Sequence, residues 1–172
     1  MSFFDFLGLS SKPTPQSAPK RAPRVGDVVH VYLPSPDNPN RPGTKSRPAV
    51  VHWVKSQPDG TLALDVSPGY PEDGKPLRAG EAIVDTKNGL ASAGLSKSTR
   101  FDLNQRSVVP WKMGYIAFKD GAPILGTLIE KDFEKVRAAY RSSSERQNRS
   151  KVMVAAQRQA NRSMTMSESF AR

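Results

Sequence analysis

From Val25 onward the chain breaks into short apolar runs, each closed within a few residues by proline, glycine, asparagine or aspartate. That punctuation admits short strands and long loops and leaves little room for helices. "VGDVVHVYL" sets Val29, Val31 and Leu33 against His30 and Tyr32, the period-two pattern of a half-buried strand opened by a Gly26-Asp27 turn. "RPAVVHWV" and "TLALDVS" follow as two further strands, joined as a hairpin by the turn "QPDG". "EAIVD" is a fourth short strand closed by a turn at "TKNG", and Arg100–Leu103, Ser107–Trp111 and Tyr115–Phe118 supply further β-prone pieces. Only near Leu128 does the period become helical: Leu128, Ile129, Phe133, Val136 and Tyr140 recur at intervals of three and four, with Thr127 placed as N-cap. About six short strands and one terminal helix predict a mainly β fold, a small antiparallel barrel with long loops on one face.

Charge divides the chain into three. Residues 1–24 hold four Lys/Arg against one acid, 25–136 hold fourteen against thirteen, and 137–172 hold eight against two, so the formal net charge of +10 resides mostly in the ends. We therefore expect a flexible leader and linker over 1–24, a folded domain over 25–140, and a basic tail over 141–172 that is partly helical or disordered. Basic tails suit an anionic partner such as nucleic acid or an acidic protein. The absence of cysteine excludes disulfides and thiolate chemistry and fits a reducing cytoplasm. With only His30 and His52 available as imidazoles, no metal or other cofactor is expected. No apolar run reaches the roughly 18–20 residues of a membrane span. The N-terminal "MSFFDFLGLSSK" lacks a basic n-region and is interrupted by Asp5, so neither a secretory signal nor a membrane partner is expected. Its apolar Phe3, Phe4, Phe6, Leu7 and Leu9 precede the Pro/Ser-rich tether "SSKPTPQSAPKRAPR", a pattern that suits a disordered leader, a segment folding back on the domain or a docking motif for a partner.

Three stretches, in order, resemble the PemK/MazF growth-inhibitor family of toxin–antitoxin systems, which includes Kid and CcdB-like proteins. "GDVVHVYL" matches its opening strand, "GTKSRPAVV" its basic loop and Arg-Pro strand start, and "AGLSKSTRFDL", "VVPW" and "PILGTL" a longer PemK-like branch. The resemblance spans about residues 25–140. It implies an SH3-like antiparallel barrel, usually a homodimer, that cleaves single-stranded RNA without a metal and is neutralised by an antitoxin protein.

Cleavage of that kind uses the RNA's own 2′-hydroxyl as nucleophile. It requires a cation for the charge developing on phosphorus and a group to accept the 2′ proton. The resemblance assigns the cation to Arg47, whose planar fork suits phosphate at any working pH. The family's hydroxyl at the end of the third strand falls on "DVSPGYP", where Ser67 is the nearest hydroxyl and Pro68 stands at the expected threonine. His30, able to titrate near neutrality, completes the expected catalytic set. Arg41, Lys45, Tyr70, Lys97 and Arg100 are expected RNA contacts, with Tyr70 as a stacking platform in its Pro/Gly loop. From spacing alone, Arg100 also suits an ion pair with Asp102, and Arg47 also suits a strand-edge pairing with Asp65 or another acid. Some relatives carry an aspartate before the segment matching "TRFDL", where this chain has Ser96 and Lys97. That departure, with Pro68, keeps open a non-catalytic barrel that binds nucleic acid or a protein partner.

Overall fold

The computed structural model describes residues 21–35, 37–119 and 121–169, with side chains described to Arg158 except Ala156. The Phe-rich leader and most of its linker, residues 1–20, lie outside the described residues. The elements run β1 (Asp27–Tyr32), β2 (Ser46–Ser56), β3 (Leu62–Pro71), β4 (Glu81–Val84), α1 (Lys87–Ala93), β5 (Thr99–Asp102), β6 (Ser107–Pro110), β7 (Ile124–Thr127) and α2 (Glu130–Ser169). The seven strands form one antiparallel sheet ordered β4-β5-β3-β2-β1-β7, with β6 also on β3.

Strand β3 organises the sheet. One edge pairs with β2 through the hairpin at Gln57–Gly60, where Gly60 takes the positive φ the turn requires. Its other edge is shared: β6 takes Ala63–Val66 and β5 takes Gly69–Pro71. A Cβ on Gly69 would come within 2.8 Å of Thr99 Cγ2 and 2.9 Å of the Phe101 ring, so only glycine permits β5 to lie this close.

Alternation along β1 and β2 feeds two apolar cores. Val28 and Val50 join Val84, Phe101, Leu103 and Val136 beneath the helices. Val29, Val31, Ala49 and Val51 face the other way, against Leu64, Val66, Val109 and Ile116. The central strands are thus covered on both faces, which is why their sequences read as nearly continuous apolar runs.

Three expectations are corrected. "TKNG" opens a helix instead of closing a turn: Thr86 Oγ1 accepts from the Gly89 amide at 3.1 Å and caps α1. Its seven residues contain a glycine, so no helical period shows in the sequence. Tyr115–Phe118 forms no strand, only isolated bridges from Ile116 to Val31 and to Met113. Thr127 is no helix cap. It ends β7, donating to Asp27 at 2.7 Å, and α2 begins at Glu130.

At 40 residues, α2 is about 60 Å long. Phe133, Val136 and Ala139 pack on the core, and buried Ser143 donates to the Leu103 carbonyl at 2.8 Å. From Asn148 to Arg158 every described side chain is exposed. No described helix is long and apolar enough to cross a membrane.

Candidate functional site

Two hollows meet at the end of the sheet where β2 begins and β3 ends. Pro48 and Pro68 lie in these adjoining strands, and each removes a backbone donor from the ladder where the hollows open. The larger, about 660 Å³, is lined by Leu33, Arg47, Pro68, Tyr70, Arg106 and Ser107 among others. The smaller, about 200 Å³, holds His30, Arg47, Tyr70, Lys97, Thr99 and Lys119. Arg47 and Tyr70 belong to both.

Arg47 is the central group. Its guanidinium lies over the Tyr70 ring, 4.9 Å from the centroid, and no carboxylate pairs with it among the described residues. The alternative pairing with Asp65 does not form; Asp65 instead lies 3.8 Å from Arg106. Tyr70 is itself anchored, its hydroxyl donating to Gln105 Oε1 at 3.1 Å. A guanidinium stacked on a ring keeps its in-plane donors available to an anion.

His30 enters the smaller hollow from β1, half-buried, and its Nδ1 is buried with no hydrogen-bond partner among the described residues. Burial, and then the charge of Lys119, lower its pKa below the ordinary value, which leaves the imidazole neutral at pH 7. Lys97 and Lys119 put two more cations around the same space.

Ser67 does not join this group. It is fully buried on the opposite face of β3, where its hydroxyl lies 2.8 Å from His52 Nε2. Side chains alternate along a strand, so a residue one step from Pro68 must face away from Pro68 and Arg47. His52 packs against Tyr140 of α2 with ring centroids 5.0 Å apart, and burial, helped by Arg106, lowers its pKa to about 4. Ser67 and His52 thus bind the sheet to the helix.

Arg100 is likewise committed elsewhere. It donates to Glu72 at 2.8 and 3.2 Å, to Glu81 at 2.9 Å, to the Pro76 carbonyl at 3.2 Å and to the Lys75 carbonyl. All five donors are engaged, none is left for a phosphate, and the guanidinium instead clamps the loop between β3 and β4. Asp102, its partner by spacing, accepts from Asn104 and Gln105. Arg41 and Lys45 are exposed on the loop from β1 to β2 and line neither hollow.

Lys119 and Arg106 line the two hollows and were not among the expected site residues. Lys119 arrives on the long segment before β7; Arg106, from the turn between β5 and β6, lines the larger hollow but turns its guanidinium to the helix, over the Tyr140 ring at 4.6 Å and 3.8 Å from Asp65. No motif marks either; only the basic character of "NQR" hinted at the second. Among the described residues no group of three or more His, Cys, Asp or Glu is arranged to hold a metal.

No family profile matches the chain, and no curated protein matches it in sequence. Among solved structures it is similar to a mycobacterial endoribonuclease determined in complex with its cognate antitoxin, with a TM-score of 0.50 and 11% sequence identity, over 72% of this chain and 96% of that one. So low an identity speaks for the backbone alone, and the chain shares the fold of that endoribonuclease.

Proposed function

We propose that the chain is a PemK/MazF-like toxin, a cytoplasmic endoribonuclease that cleaves single-stranded RNA without a metal, acts as a homodimer and is held in check by an antitoxin protein. The observation that carries this reading is Arg47, without a carboxylate partner among the described residues, stacked on Tyr70 at the junction of two hollows whose lining also includes His30, Lys97 and Lys119. The shared fold and the order of the family-like motifs support it.

Neutral His30 accepts the proton of an RNA 2′-hydroxyl. The 2′ oxygen bonds to phosphorus as the bond from phosphorus to the 5′ oxygen breaks, and the leaving oxygen takes a proton from solvent. A 2′,3′-cyclic phosphate and a free 5′-hydroxyl result. Arg47 stabilises the charge that builds on the phosphoryl oxygens, and Lys97 and Lys119 hold the flanking phosphates. Pro68 lines the larger hollow without supplying a hydroxyl, which favours a second reading: a non-catalytic barrel that binds nucleic acid or a protein partner through the same face.

Incubating the purified protein with mixed-sequence RNA in EDTA separates the two. Cleavage that falls by about two to three orders of magnitude in Arg47→Ala is the expected result. Intact RNA with binding that weakens steeply as salt rises assigns the face to binding alone.

A further inference from the structure

A third hollow, of about 490 Å³, lies between β2 and α2 on the face turned away from Arg47. Val25, Trp53, Phe133, Val136 and Tyr140 form its apolar wall, and Asp65, Arg137 and Arg141 are the charges among them. Trp53 is 47% exposed and Val25 also 47%, a large apolar surface for a chain whose central strands are covered on both faces.

We propose that this groove seats the chain's own N-terminal segment, Phe3–Leu9. Position is the first argument. The groove wall begins at Val25, four residues from Arg21, and Arg21 is tied to the sheet by its 2.6 Å ion pair with Asp27. Eleven residues lie between Leu9 and Arg21, a span of up to about 40 Å when extended, long enough for the segment to reach a groove whose wall starts at Val25.

Chemistry is the second argument. Phe3, Phe4, Phe6, Leu7 and Leu9 offer aromatic and aliphatic groups to an apolar slot of a size that holds several side chains. The one charge among them, Asp5, is complementary to Arg141 and to Arg137, which also pairs with Glu134 at 2.8 Å, while the groove's own carboxylate, Asp65, lies 3.8 Å from Arg106. A short tether keeps the segment at an effective concentration on the order of millimolar, so a weak contact suffices for occupancy in cis.

The test uses the full chain carrying Trp111→Phe, which leaves Trp53 as the sole tryptophan reporter. Deleting residues 2–9 should shift the emission maximum to the red and raise its quenching by acrylamide. The triple variant Phe3→Ser/Phe4→Ser/Phe6→Ser, which changes none of the described residues, should reproduce both changes. Emission and quenching unchanged in both variants would overturn the proposal. A difference that vanishes on serial dilution would overturn it too, assigning the groove to the segment of a second copy.

Discussion

The guanidinium of Arg47 rests 4.9 Å from the centre of the Tyr70 ring, and both residues line the two hollows that meet at the end of the sheet. Arg47 sits on β2 and Tyr70 on β3, so the stack spans two strands and fixes the plane of the guanidinium before any ligand arrives. Tyr70, expected as a platform for a base, is already occupied by Arg47 on one face.

That stack predicts a graded response. Tyr70→Phe keeps the ring and should retain most of the RNA cleavage or binding. Tyr70→Ala should lower it by a few-fold, in line with about 0.5–1 kcal/mol for an exposed cation–π contact. Equal activity in the two variants would show that the ring does not orient Arg47.

His30 predicts the pH profile. Its folded pKa lies below the ordinary 6.5, so the neutral base is present at pH 7 and is lost as pH falls through the lowered value. The cleavage rate should be flat across neutrality and decline below about pH 6.5. His30→Ala should reduce the rate by about 100-fold or more and abolish that acid limb.

Ser67 should behave as a structural residue. Ser67→Ala removes the 2.8 Å partner of buried His52, and should cost about 1–3 kcal/mol in urea unfolding while leaving RNA cleavage or binding unchanged. A selective loss of activity at full stability would return Ser67 to the site.

His52 also makes stability depend on pH. Its folded pKa of about 4 lies below its unfolded value near 6.5, so the unfolded chain binds the proton more tightly. The stabilisation is complete above pH 6.5 and is lost progressively as pH falls from 6.5 to 4, by about 3 kcal/mol in all. Urea titrations at pH 7 and pH 4.5 should show this loss in the native chain and much less of it in His52→Gln.

Arg100 should matter to the fold. Removing it leaves Glu72 and Glu81 facing each other without their shared cation, so Arg100→Ala should lower the thermal midpoint and expose the loop between β3 and β4 to proteolysis. Arg47→Ala, which breaks no ion pair among the described residues, should leave the midpoint in place.

Much of this architecture was legible in local patterns. The first three strands and the hairpin turn follow from alternation and turn chemistry, and α2 from its three-and-four spacing, because neighbouring residues decide those signals. Strand β7 was hidden because "ILGT" runs directly into the helical period of α2, and α1 because seven residues complete too few turns to display one. Arg47 and His30 were legible from residue type and motif, and the structure places them in one hollow.

What the amino-acid sequence determined by itself was the class of fold, the position of its central arginine and the separation of a balanced middle from basic ends. These depend on periodicity, turn residues and charge, all readable within a few positions of one another. Only the tertiary structure decided which groups stand beside that arginine. Strand register sends Ser67 to the helix side while Pro68 and Tyr70 face Arg47, and loop closure commits Arg100 to two glutamates while delivering Lys119 to His30. Register and closure are settled by contacts between residues far apart in the chain, and a one-residue step along a strand is enough to reverse a side chain's face.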